Sequence, residues 1–444
     1  MAFAALAYLF WRYVRRRNSR HQPSRELLLI TYVASRLGVW LAFSTFLQHH
    51  VTSSDPRENY IPILDNLLAA AVPIRDFYYP YGPFLFPSIL PFYLVFGRSL
   101  AGISLFAILA EALALAFFVK STSRLERYGE ISPSWVREAL ALYLLNPATL
   151  YWTVFQGYHS IVQTAYSMGA LYVLLRGNHA IGYAIGFFGV AGSKVLAVLD
   201  WPALLSVCRP RLAKALLGAL PLLLTYAIFH IVTGNFHYGF TSAMFLQQAG
   251  PRNFYPFSEG NVWHLLTLFG DLLGFYSTFP GKLLPLLSFG ICFVLGFGYW
   301  WRCQRRGLAS FSFQAAMGMT TFTMSLFFLF SFYTGNYYVP MLMLPASLVV
   351  TGPTFPDQRA AWSFILISGL CVTGDVIWTS QGQSVLINAV MADSLGERFV
   401  GGLWTASILV RIACFAMLAT FGLRMAVAPL PHHASESLTP VRVA

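Results

Sequence analysis

A succession of long apolar runs, with charge confined to the short stretches between them, limits this chain to very few architectures. The runs occupy about residues 27–48, 100–119, 138–155, 160–175, 181–207, 212–233, 283–301, 312–331, 337–352, 361–379 and 400–423. Each approaches the roughly 20 residues with which an α-helix crosses about 30 Å of hydrocarbon, so helices rather than barrel strands are expected. With 57% hydrophobic and only 10% charged residues among 444, the chain is too apolar for a soluble protein of this length. The expected fold is an all-α, polytopic transmembrane helical bundle of about 10–13 membrane segments. Residues 27–424 would form it, behind a basic cytoplasmic N-terminus at 1–26 and ahead of a disordered cytoplasmic tail at 425–444.

The net charge of +12 does not point to nucleic acid, because the basic residues line no single face. They cluster in the loops, at 15–25, 120–127, 209–214 and 302–306, with Arg176 and Arg424 in agreement. Such an excess of Lys and Arg marks cytoplasmic loops, and both termini are placed inside by it. The five cysteines all fall in apolar runs or at their cytoplasmic ends and are read as free thiols. The apolar start MAFAALAYLFWR precedes its basic cluster instead of following it, so a cleaved signal peptide is not expected.

This topology carries the segment 49–83 to the outer face, and that segment holds Asp55, Glu58, Asp65 and Asp76 in an otherwise charge-poor chain. A short amphipathic helix is expected over 61–71, lying at the interface. The following stretch, 84–97, is short and holds Pro87 and Pro91, and is expected to dip into the bilayer without crossing. A further break is expected in 181–208, which has basic flanks at both ends and Lys194 near its middle. An ammonium at the bilayer centre costs about 2.5–3.5 kcal/mol on insertion scales, which favours two half-helices meeting at an outward tip. Gly189 and Gly192 permit that break. The same count puts 156–160, 235–264, 332–340 and 381–398 outside.

No phosphate loop, HExxH pair, CxxC pair or GxSxG elbow occurs. What remains is a set of acidic, basic and aromatic groups on one side of the membrane. A first-segment carboxylate is a candidate general base, or else a solvated loop residue or cap: Asp55 precedes Pro56 as a helix start does, and Asp76 has Arg75 beside it. Lys194 is a candidate partner for a phosphate, or else a snorkelling lysine. His159 and His237 are external histidines whose commoner use is plain hydrogen bonding. Arg36, Glu111, Asp271, Asp375 and Arg411 lie within apolar runs, where structural ion pairing is the expected use.

The order of several stretches carries a resemblance: VPIRDFYYPYGPF, then NPATLYWTVFQGYHS, then GFFGVAGSKVLAVLDWPALL. Together they resemble the C-type (GT-C) superfamily of integral-membrane glycosyltransferases, and within it the polyprenol-phosphate-sugar-dependent mannosyltransferase-like families. The likeness covers residues 27 to about 208 and is architectural beyond. It departs where those families place an aspartate before the tyrosine, since Asn59 precedes Tyr60 here, and where the acidic position of a GQxD-like element reads His159.

The resemblance implies an inverting transfer of a sugar from a polyprenyl-phosphate donor to a glycan or glycolipid acceptor, at the outer face of a bacterial inner membrane. Asp55, then Glu58, would be the catalytic carboxylate, with Asp65 and Asp76 as supports and Lys194 on the donor phosphate. Tyr60, Tyr79, Tyr81, Gln156, His159, Asn336 and Tyr337 would contact substrate, and Tyr78, Trp263, Tyr333 and Tyr338 could line the polyprenyl groove or sit in an interface belt. It implies transfer without a cofactor, usually without nucleotide and often without an essential metal, a divalent metal staying open. The rival expectations are a transporter or flippase of a lipid-linked saccharide, resting on Glu111, Asp375 and Arg411, and a non-catalytic subunit of a membrane glycosylation complex.

Overall fold

The computed structural model describes residues 2–16, 23–42, 44, 59–77, 79, 81–234, 262, 283–330, 336–352, 358–381 and 395–428. Asp55, Glu58, Tyr78, His237, Trp263, Asp271 and Tyr333 lie outside them, as do the side chain of Asp375 and residues 235–261 and 429–444. The described residues form helices joined by turns and contain no strand, as the apolar runs require.

The chain opens with α1 (Ala2–Arg16), whose face bearing Tyr8 and Trp11 is buried. It packs on α6 (Pro133–Leu144) and α15 (Gln358–Gln381), with Tyr8 stacked on Trp362 at 4.2 Å. The first long apolar run forms α2 (Arg25–Ala42). The short amphipathic helix is α3 (Ile61–Leu68), which buries Ile63 and Leu64 and exposes Asp65. Next, α4 (Leu85–Val95) contains Pro91 and has 11 residues, about half of what a membrane crossing needs. It lies against α3 and α5 (Leu100–Arg127).

A buried cluster ties α2 to α5 and α6. The Arg36 guanidinium donates to both carboxylate oxygens of Glu111, at 2.8 and 3.2 Å, to Thr149 Oγ1 at 3.0 Å and to the Leu144 carbonyl. Tyr143 Oη donates to the same carboxylate at 2.7 Å, and the guanidinium lies 4.7 Å from the Tyr32 ring centroid. Two of the five charges that the sequence places in apolar runs therefore neutralise one another inside the protein.

After α6 come the single turn α7 (Pro147–Thr149), a π-helical turn (Leu150–Phe155) and α8 (Ser160–Leu175). Then follow α9 (His179–Gly192), a 3₁₀ turn (Val195–Asp200), α10 (Trp201–Val207) and α11 (Leu212–Thr233). The remaining helices are α12 (Leu283–Arg305), α13 (Phe313–Phe330), α14 (Val339–Val350), which is preceded by a 3₁₀ turn (Asn336–Tyr338), α15 and α16 (Leu395–Val427).

Four helices among the described residues are long and apolar enough to cross a membrane: Leu100–Arg127, Leu212–Thr233, Phe313–Phe330 and Ala406–Val427. Their settings differ, since 94% of the apolar window of α13 is buried against 11% for α11. The central pair α13 and α16 approach closely at two glycines: a Cβ on Gly318 would lie 2.5 Å from the Gly422 carbonyl oxygen, and one on Gly422 2.6 Å from that of Gly318. Small residues at the crossing allow this backbone approach, the usual means of helix association in lipid. By contrast α11 presents Leu212, Leu216, Leu220, Leu223 and Ile231 outward. So continuous an apolar face suits lipid and not water, and the molecule is accordingly read as a membrane protein.

Candidate functional site

The break expected in 181–208 is present and falls just beyond Gly192. Lys194 is fully extended (φ −151°, ψ 159°) between the end of α9 and the 3₁₀ turn. The two arms run back together, because Cys208 Sγ at the end of α10 lies 3.5 Å from His179 Nδ1 at the start of α9. Lys194 thus sits at the tip of a helical hairpin. The descending arm is clamped by α8: Gln163 donates to the Leu196 carbonyl at 3.2 Å and to Asp200 at 2.9 Å, and Ser167 donates to Asp200 at 2.5 Å. Thr323 of α13 adds a hydrogen bond to the Leu199 carbonyl at 3.0 Å.

The tip is met by the segment that follows the first acidic stretch. Gly82 N–H donates to the Ser193 carbonyl at 3.1 Å and Phe84 N–H to the Ala191 carbonyl at 2.9 Å, so Tyr81-Gly82-Pro83 lies across the end of α9 like a short strand. A Cβ at position 82 would come within 2.3 Å of the Ala191 carbonyl oxygen. Only glycine permits this approach, and it seats the Tyr81 ring centroid 5.3 Å from the Lys194 ammonium. Tyr79, also buried, donates to the Gly82 carbonyl at 3.2 Å and holds the turn.

The third contribution comes from the 3₁₀ turn Asn336–Tyr338. Lys194 Nζ donates to Tyr338 Oη at 2.6 Å and lies 5.3 Å from that ring's centroid. Tyr337 stacks on Tyr158 at 4.6 Å, and its carbonyl accepts from Ser160 at 2.5 Å. Asn336 Oδ1 accepts from the Arg411 guanidinium of α16. One three-residue turn therefore joins α8, the hairpin tip and α16.

His159 completes the group. Its Nδ1 hydrogen-bonds with the Tyr60 phenol, the Tyr81 ring meets it edge-on at 5.0 Å, and its buried Nε2 has no partner among the described residues. In the loop ahead of α8, burial first and the Lys194 charge second hold its pKa well below the usual imidazole value, so it is neutral at physiological pH. An uncharged imidazole, an ammonium and three phenols thus share one buried neighbourhood. It can stabilise an oxyanion with the ammonium and take up or hold a proton at the imidazole.

Of the residues expected at the site, Tyr60, Tyr79, Tyr81, His159, Lys194, Asn336 and Tyr337 are brought together. Gln156 is buried next door, where its amide donates to Tyr151 Oη at 3.0 Å. Asp65 is exposed on α3 and accepts from Tyr93 at 3.0 Å. Asp76 is exposed in a turn, accepting from Arg75 at 2.9 and 3.0 Å and from the Val72 N–H at 2.7 Å. These bonds, the Arg75 contact first, pull its pKa down to about 2. Asp55 and Glu58 precede Tyr60 by five residues and two, outside the described residues.

Sequence reasoning passed over Asp200, which is 4% exposed and bound by two uncharged side chains. The signal was there: a carboxylate inside an apolar run, directly before Trp201-Pro202 and six residues beyond Lys194. It also passed over Tyr158, the stacking partner of Tyr337, whose packing depends on a turn 177 residues further along the chain from Ser160. No protein-family model, curated protein or solved structure matches this chain.

Proposed function

We propose that the protein is an inverting, integral-membrane glycosyltransferase that takes its sugar from a polyprenyl-phosphate donor. The observation that carries this reading is the placement of Lys194 at the tip of a broken helical hairpin, between the rings of Tyr81 and Tyr338. An ammonium there suits the phosphate of a donor whose lipid tail stays in the membrane, and phenol rings suit a sugar. In this reading the site faces the non-cytoplasmic side of a bacterial inner membrane, in a multi-pass topology.

In the reaction a carboxylate from the segment 49–83, Asp55 first and Glu58 second, removes the proton from the acceptor hydroxyl. The oxygen attacks the anomeric carbon as its bond to the donor phosphate oxygen breaks, with inversion through an oxocarbenium-like state. The electron pair of that bond leaves on the phosphate, whose charge Lys194 stabilises. The carboxylic acid then loses its proton to water. His159 and Tyr60 hold the Tyr81 side of the site, and Asn336 and Tyr337 the other.

The transport alternative loses one of its supports, because Glu111 is closed off by Arg36, Tyr143 and full burial. The test is turnover of polyprenyl-phosphate sugars by the full chain in nanodiscs with glycan or glycolipid acceptors. Release of polyprenyl phosphate coupled to a new glycosidic bond is expected, lost in Lys194→Ala and in one of Asp55→Ala and Glu58→Ala. Parent rates in all three variants would defeat the assignment.

A further inference from the structure

Among the described residues two arginines are buried in the helical core, and they are treated in opposite ways. Arg36 is enclosed by acceptors: both oxygens of Glu111, Thr149 Oγ1 and the Leu144 carbonyl, with its charge cancelled by the carboxylate. Arg411 is 4% exposed and lies within the apolar span Ala406–Val427, yet among the described residues its hydrogen-bond partner is the uncharged Asn336 Oδ1, and its buried Nε has none there. The four ion pairs among the described residues join Arg15 to Glu138, Arg25 to Glu126, Arg36 to Glu111 and Arg75 to Asp76, and Arg411 belongs to none.

A guanidinium has five N–H donors in a planar fork and does not deprotonate. Burying it with a single amide partner among the described residues leaves both its charge and its fork unanswered there, which is costly in protein and more so in lipid. Arg36 shows that this chain can satisfy a buried arginine completely. The unanswered fork of Arg411 fits the oxygens of a phosphoryl group, which accept two N–H bonds side by side.

We propose that Arg411, positioned by Asn336, binds a phosphoryl oxyanion, and that the ligand is the headgroup of a membrane lipid. The location argues for the lipid, because Arg411 lies within a membrane-length apolar helix that a free anion reaches only by leaving water. Asn336 is also the first residue of the turn whose last residue, Tyr338, holds Lys194. The molecule then has two cationic sites at the two ends of one short turn. The Arg411 site does not require glycosyl transfer, and the Lys194 site is the one on which the proposed function depends.

The experiment is binding of a polyprenyl phosphate to the full chain in nanodiscs, counted and titrated by native mass spectrometry, with the unphosphorylated polyprenol and inorganic phosphate as comparison probes. The parent should bind two polyprenyl phosphates and Arg411→Gln one, with affinity at the lost site reduced about 10- to 100-fold. Arg411→Lys should recover part of it. If Lys194 binds no phosphate, the parent count falls to one and Arg411→Gln to none, which separates failure of the proposed function from failure of this site. Inorganic phosphate binding that depends on Arg411 in the same way would keep the phosphoryl site and overturn the lipid source. Unchanged count and affinity in Arg411→Gln would overturn the proposal. Should that variant not fold, Lys194→Ala, which keeps Arg411, carries the test: its thermal stabilisation by polyprenyl phosphate and by polyprenol to the same extent would also overturn the proposal.

Discussion

Lys194 Nζ donates to Tyr338 Oη across 2.6 Å, joining the tip of the α9–α10 hairpin to the turn ahead of α14 over 144 residues of sequence. The phenol holds the ammonium at the point where it also faces the ring of Tyr81.

Removing that phenol tests whether the ammonium needs to be held. Tyr338→Phe keeps the ring and deletes one hydrogen bond to a charged group, so the donor KM should rise about tenfold with a smaller change in kcat. Lys194→Ala should lower kcat about 10²- to 10³-fold, the usual effect of losing a donor to a developing oxyanion. Steady-state kinetics on both variants checks the ordering, and equal effects would contradict it.

Gly82→Ala places a methyl 2.3 Å from one carbonyl oxygen and 2.5 Å from another at the end of α9. The two backbone segments must part, at a cost of about 1–3 kcal/mol by comparison with overpacked cores. A lower thermal midpoint in nanodiscs, together with loss of transfer activity, is the expected result. An unchanged midpoint would show that the turn is not seated against α9 as described.

The Arg36 and Glu111 pair is read as structural, and its substitutions should behave so. Replacing either partner alone leaves a buried charge unanswered, worth about 3–5 kcal/mol. The double variant Arg36→Met with Glu111→Leu should recover much of the folded yield. A double variant less stable than both singles, measured by size-exclusion profile after heating, would argue for a role beyond packing.

His159 supplies a pH dependence. Its folded pKa lies below that of the unfolded chain, near 6.5, so the unfolded state gains the proton first as pH falls. The stability associated with its neutral form is therefore complete above about pH 6.5 and is lost progressively below it. Between about pH 7.5 and about pH 5.5 the parent should lose more thermal stability than His159→Gln does. Asp76 moves in the same direction but in a lower window: its lowered pKa gives a contribution present above about pH 4 that is lost only as pH falls toward about 2. Asp76→Asn should accordingly leave the profile between about pH 5 and about pH 8 unchanged.

Much of the site was legible residue by residue. The hairpin at Lys194 followed from the cost of leaving an ammonium in hydrocarbon between two basic flanks, and the 11-residue α4 from the prolines and length of 84–97. The tyrosines and His159 stood out as polar side chains bordering apolar runs. The Asp200 clamp and the Tyr158 stack were not legible, since their sense depends on Ser167, Gln163 and Tyr337 lying alongside.

The sequence by itself determined that this is a helical, apolar chain, where its apolar runs end and where one of them must break. Those properties are local, because transfer energies are summed residue by residue and backbone hydrogen bonds in lipid must close within a segment. Tertiary structure alone decided which charges meet: Glu111 answers Arg36 across 75 residues, while Arg411, in an equally apolar run, finds only Asn336 among the described residues, across another 75. To lipid one apolar helix face is much like another, so partners are chosen by small-residue contacts such as Gly318 on Gly422 and by interhelical hydrogen bonds, neither of which leaves a mark in the hydropathy pattern.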